Sequence, residues 1–264
     1  IGVGGPHRAV RVFPDGQRFL TGVSFRRGDP ALVWNATDGA TLRSFGQLEE
    51  VVAFMALSAC GERLATTGGL SVAVWDTATG RLERRLESRG GSSSGVGISL
   101  GGASIVRSEG ACILARSGSA STQTCLDSSV AAFVLLPDGR RVVAVTASQA
   151  VVLDTDRVER LRVLDGALGF HAQSIAASPS GDIVAACGGA TPKPRRDFTA
   201  VATKAWEVST GRLVHRSEDN GGLVLPEWSC SVAVGRSGTF LGSMRGWPLA
   251  EGLDAEVKTS TNKK

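Results

Sequence analysis

The chain has 264 residues, 42% hydrophobic and 20% charged, with a net charge of +4 at pH 7, a composition that fits a globular domain large enough for one extended all-β unit. No apolar run approaches the ~18 residues that a membrane-spanning helix needs. The basic excess is spread through strand and turn segments, which argues against the concentrated stripe of a nucleic-acid binder. The first residue is Ile1, so the expectation is that a leader has been removed or that the chain is a piece of something longer. The cytoplasm is the default compartment, with an organelle lumen or stroma after removal of a leader as the alternative.

Residues 1–6 read as a linker or the end of a preceding unit. A β-rich run at 10–13 enters the turn Pro14-Asp15-Gly16, and Leu32-Val33-Trp34-Asn35 enters Thr37-Asp38-Gly39 before a strand at 41–45. The pattern returns at 51–57 with Ser58-Ala59-Cys60-Gly61. There Val72-Ala73-Val74-Trp75-Asp76 leads to Thr79-Gly80 and a polar strand at 81–87. A third unit follows from 96–100 with Gly101-Gly102, and a fourth from 130–136 with Pro137-Asp138-Gly139, Val151-Val152-Leu153-Asp154 and a strand at 158–165. The fifth runs from 174–177 through Pro179-Ser180-Gly181 to Ala205-Trp206-Glu207, Ser209-Thr210-Gly211 and a strand at 212–217. The sixth, 231–234 with Arg236-Ser237-Gly238, is short. Alternating β-branched residues make half-buried strands, and Asp-Gly or Thr-Gly pairs supply the positive φ of tight hairpins. Five of the six units recur at about 40 to 45 residues, the length of a four-stranded propeller blade.

The succession Pro-Asp-Gly, an apolar strand ending Val-Trp-Asp, then Thr-Gly, resembles the WD40-repeat β-propeller family in degenerate form. The clearest match is Val74-Trp75-Asp76-Thr77-Ala78-Thr79-Gly80, and the resemblance covers residues 7–250. It implies an all-β fold of four-stranded antiparallel blades, with six units visible in a propeller of six or seven. Residues 251–264 would be a flexible, polar and basic tail. In that family a histidine, a serine or threonine, an aspartate and a tryptophan hold each blade. Here the candidates are His7, Asp29, Trp34, Trp75, Asp76 and Trp206. Asp29 stands five residues before Trp34, whereas Leu70 and Val201 occupy that place before Trp75 and Trp206, so packing and backbone ladders must hold most blades.

Catalytic sets are missing from the pattern. His7 and His171 begin blades, where the family places a structural histidine, and His215 falls on an outer strand expected to be solvated. No histidine or cysteine pair has metal-ligand spacing, and the glycine clusters lack the ending of a phosphate loop. The adjacent pairs Glu49-Glu50 and Glu218-Asp219 point to opposite faces of an extended segment. No catalytic residue, cofactor or metal is therefore assigned.

Two loops carry the partner hypothesis. An insertion at 188–199 bears Lys193, Arg195, Arg196 and Phe198, stiffened by Pro192 and Pro194. The corresponding connection of the first unit bears Arg26 and Arg27. Arginines clamp carboxylates in bidentate fashion, so both loops are candidates for an acidic patch on a partner protein, with a solvated loop as the equal alternative. Cys112 and Cys125 flank a hairpin centred on Gly118-Ser119 and fall opposite one another at a non-hydrogen-bonded pair. A cross-strand disulfide fits that register and would imply an oxidising compartment. Two reduced cysteines are the favoured expectation, and Cys60, Cys187 and Cys230 show no evident partners. These features point to a non-catalytic protein–protein interaction scaffold, or an accessory subunit of a larger multiprotein complex. The alternatives are a ligand-sensing array cut from a longer signalling protein and, least favoured, a propeller hydrolase or lectin.

Overall fold

The computed structural model describes residues 7–23, 31–45, 52, 54–67, 71–87, 95–157, 159–166, 170–190, 200–219, 229–235, 240–245 and 258–260. Among these residues all regular structure is β, and the pairings are antiparallel. The chain divides into two compact units, Ile1–Cys125 and Leu126–Lys264.

The first unit holds three four-stranded meanders. The first is β1 (His7–Val12), β2 (Arg18–Val23), β3 (Ala31–Asn35) and β4 (Thr41–Phe45). The second is β5 (Phe54–Leu57), β6 (Arg63–Thr67), β7 (Ser71–Asp76) and β8 (Leu82–Glu87). The third is β9 (Val96–Ile98), β10 (Ser104–Glu109), β11 (Cys112–Ser117) and β12 (Ala120–Cys125). The second unit begins with β13 (Val130–Leu135), β14 (Arg141–Thr146), β15 (Ala150–Asp154) and β16 (Arg160–Leu164). The next sheet is β17 (Phe170–Ala177), β18 (Ile183–Ala190), β19 (Ala200–Glu207) and β20 (Leu213–Asp219). Its last sheet is three-stranded: β21 (Ser229–Val234), β22 (Phe240–Arg245) and β23 (Lys258–Ser260). The six units of the repeat thus appear as five complete blades and a sixth of three described strands. Residues 258–260, within the segment expected to be a tail, pair with β22, since the edge of a strand offers backbone groups that even a polar segment can satisfy.

The period-2 pattern decides how sheets stack. On the central strands of the second sheet, Leu64, Ala73 and Trp75 pack with Phe13 and Leu20 of the first sheet. The intervening Ala65, Val72 and Val74 pack with Ile98 and Ile105 of the third. The second unit repeats the arrangement. Val184 and Ala186 join Leu136 and Val143 of the neighbouring sheet, while Ala185 and Cys187 face Val232 of the last. Strands covered on both faces must be apolar throughout, which is why β7 and β15 read as near-continuous hydrophobic runs. Each large side chain so buried contributes about 1.5–3 kcal/mol. The fourth strands, covered less, alternate with exposed charge, as in β8.

A common hydrogen-bond scheme closes the first hairpin of five blades. Phe13, Ser58, Ser99, Leu136 and Ser178 occupy one position, each carbonyl accepting the turn-glycine N–H at 2.8–2.9 Å. The N–H five residues further on needs a side-chain acceptor, and two solutions alternate. Where the position is serine, its own hydroxyl accepts: Arg63 to Ser58 at 3.0 Å, Ser104 to Ser99 at 2.9 Å, Ile183 to Ser178 at 3.1 Å. Where it is Phe13 or Leu136, the Asp of Pro-Asp-Gly accepts instead, Arg18 to Asp15 at 3.2 Å and Arg141 to Asp138 at 3.1 Å. Ser-x-x-Gly and Pro-Asp-Gly are therefore equivalent ways of satisfying one turn N–H that has no backbone partner.

Candidate functional site

The residues assigned to blade structure divide according to what their neighbours offer. Trp34 on β3 and Trp75 on β7 donate their indole N–H to Thr21 Oγ1 at 2.8 Å and Thr66 Oγ1 at 3.0 Å. Each threonine stands two places along the adjacent strand from the tryptophan's direct partner, Phe19 or Leu64. In the fifth blade Trp206 faces Val184, and the equivalent place is Ala186. With no hydroxyl there, the fully buried indole donates to the Asp165 carbonyl at the end of the preceding sheet, 2.7 Å away. Asp76 accepts from the Thr79 N–H at 2.6 Å and hydroxyl at 2.7 Å, and these bonds, hydroxyl first, hold its carboxyl below the usual range. Asp15 pairs with Arg18 at 2.7 Å, and Asp138 with Arg141 at 2.6 Å. These carboxylates are engaged in holding turns.

The Asp165 carbonyl belongs to a wider strap of hydrogen bonds that the sequence pattern does not signal. The Asp165 N–H donates to the Gly211 carbonyl at 2.9 Å, Arg162 reaches the Thr210 carbonyl at 3.1 Å, and Lys204 donates to the Gly166 carbonyl at 2.6 Å. Lys204 is only 4% exposed; a lone charged residue in the segment 200–206 was the signal available for it. The first unit has a counterpart. Arg63 bridges Glu83 at 2.9 Å and the Gly101 carbonyl at 3.1 Å, Cys60 Sγ bonds the Leu100 carbonyl at 2.9 Å, and Arg84 bonds the Gly102 carbonyl. His215, expected in solvent on β20, is half-buried instead. Burial lowers its pKa.

The cysteines correct the favoured expectation. Cys112 and Cys125 are directly opposed, Cα atoms 3.9 Å apart, and are disulfide-bonded. The register is the one counted from Gly118-Ser119; what periodicity could not supply was whether the two sulfurs meet. Cys187, expected to have no partner, is also disulfide-bonded, and it is buried at 1% exposure on β18.

The residues proposed for partner contact, Arg26, Arg27, Lys193, Arg195, Arg196 and Phe198, lie outside the described residues, as does Asp29. His7 and His171 lie on β1 and β17, but their side chains are outside the description. The strands do locate the two arginine-bearing segments. Residues 24–30 join β2 to β3, and 191–199 join β18 to β19. Both are the second-to-third-strand connection of a blade, which is 68–70, 110–111 and 147–149 in the three blades between them. Among the described residues no group of three His, Cys, Asp or Glu side chains is placed to hold a metal ion, and no helix is long and apolar enough to cross a membrane.

No family model and no curated protein matches the chain. Among solved structures, that of U3-55K is similar, with a TM-score of 0.71 and 15% sequence identity over 92% of this chain and 76% of that one. At that identity the likeness carries the fold alone. In all, 1534 chains of solved structures match, and a fold so widely shared does not single out an activity. With its four-stranded antiparallel blades, the chain has an all-β propeller fold.

Proposed function

We propose that this protein is a non-catalytic interaction scaffold, or an accessory subunit of a larger multiprotein complex, and that it binds protein partners through blade loops. The observation that carries this reading is where sequence variation falls on the framework. The same turn bonds recur in five blades, while the second-to-third-strand connection expands at 24–30 and 191–199. Both expansions bring unusual charge, Arg26-Arg27 and Lys193, Arg195 and Arg196. Long connections on a rigid scaffold are where recognition concentrates. Paired arginines favour a carboxylate-rich partner surface, which they meet with planar, bidentate hydrogen bonds. The described ionisable groups support the same reading, since Asp15, Asp76 and Asp138 are occupied with turns.

The test is native purification with cross-linking and mass spectrometry, wild type beside Arg195→Glu/Arg196→Glu. A defined complex with cross-links from Lys193, weakened at least tenfold by the double reversal, is the expected result. A protein that runs alone, or a complex indifferent to the reversal, would remove the basis for this assignment.

A further inference from the structure

The two disulfide-bonded positions differ sharply in access. Cys187 is 1% exposed and sits on a central strand, packed against Ala185, Ala205 and Val232. Cys125 is exposed on β12, which among the described strands pairs only with β11, while Cys112 on β11 is half-buried. Gln123, on the same face of β12, is also exposed, and its amide donates to Cys125 Sγ at 3.3 Å. Cys125 is also the last residue of the first compact unit, so the bond fastens the strand from which the chain leaves that unit.

We infer that Cys112 and Cys125 form a reversible thiol–disulfide exchange site, with Cys125 as the reacting sulfur and a small thiol and its disulfide, of the glutathione class, as co-reactants. Exchange requires a thiolate to approach one sulfur of the bond, and access decides which. In reduction the incoming thiolate attacks Cys125 Sγ, the S–S bond breaks, and Cys112 leaves as a thiolate that takes up a proton. A second thiol then attacks the mixed disulfide at the incoming sulfur. That step releases the symmetric small disulfide and a Cys125 thiolate, whose charge the Gln123 N–H stabilises. Oxidation runs through the same mixed disulfide in reverse: two protein thiols and one small disulfide give one protein disulfide and two small thiols. Cys187, enclosed by its core, stays outside this equilibrium while the protein is folded.

The experiment equilibrates the folded full chain in glutathione buffers of stepped ratio, quenches with an alkylating reagent and maps each cysteine by mass spectrometry. Circular dichroism is recorded at each step. The expected result is that Cys112 and Cys125 become labelled together with the spectrum unchanged, while Cys187 is labelled only after denaturant is added. The mixed disulfide should map to Cys125. In single variants, Cys125 of Cys112→Ser should react with oxidised glutathione several-fold faster than Cys112 of Cys125→Ser. Four outcomes overturn the inference: labelling of Cys187 at the same ratio, reduction only on unfolding, a mixed disulfide at Cys112, or thiols that never pair in oxidising buffer.

Discussion

The tryptophan–threonine pair of the second blade offers the most direct test of how these degenerate repeats are held. Thr66 is 2% exposed and Trp75 is 5% exposed, so neither group can turn to water if its partner is removed. Thr66→Val keeps the side-chain shape and removes only the acceptor of the 3.0 Å indole bond. A buried donor left unsatisfied costs about 1–3 kcal/mol, and the extra methyl-for-hydroxyl apolarity recovers a fraction of that. The expected loss is therefore about 1–2 kcal/mol, read as a lower urea midpoint at unchanged slope. In a Trp75→Phe background the donor is already gone, so the same Thr66→Val change should cost close to nothing. The matching Thr21→Val change in the first blade should cost less, because Trp34 is half-buried and its N–H can reach solvent. If Thr66→Val costs the same in both backgrounds, the hydrogen bond does not hold the blade and packing alone accounts for it.

Two further outcomes follow from turn chemistry. Gly211 and Gly16 both have positive φ, +81° and +68°. A Cβ at Gly211 would lie 2.8 Å from the Val163 carbonyl oxygen, whereas at Gly16 it meets nothing within 4 Å. Gly16→Ala should therefore show only the left-handed strain of about 1–2 kcal/mol. Gly211→Ala should exceed it and loosen the Asp165–Gly211 strap, visible as faster amide exchange at Asp165. For pH, Asp15 is held below its ordinary value of 3.8, first by the Gln17 N–H and then by the Arg18 side chain. Asp76 is held below it by Thr79. A depressed folded pKa contributes stability that is complete above the unfolded value and is lost as pH falls through the folded one. Stability should thus decline below about pH 4, and Asp15→Asn or Thr79→Ala should flatten that decline. An acid limb unchanged in both variants would show that other carboxylates govern it.

Much of the framework was legible because its rules are local. Turn glycines preceded by Pro-Asp or Ser-x-x mark a place where one N–H needs a side-chain acceptor, and both spellings were recognised as turns. The hairpin register that opposes Cys112 and Cys125 followed from counting outward from Gly118-Ser119, since side-chain alternation leaves one solution. The family's aspartate was expected to be missing before Trp75 and Trp206, and the structure shows what each indole N–H meets: the Thr66 hydroxyl in one blade and the Asp165 carbonyl in the other. The arginine-bearing segments were expected between second and third strands; β18 runs to Ala190, so the later connection is 191–199 and not 188–199, and the arginines themselves lie outside the described part of the chain.

By itself, then, the sequence determined most of the strands, their turns and the spacing of six repeated units, because these depend on neighbours a few residues apart. Tertiary structure decided what depends on contacts across sheets. It sent the Trp206 indole to Asp165, drew the Lys204 ammonium out of water to the Gly166 carbonyl, placed Cys187 in a bonded core and left Cys125 exposed on β12. Those outcomes turn on which face of a strand meets the next sheet and how closely the two approach, and spacing along one chain carries no measure of that distance.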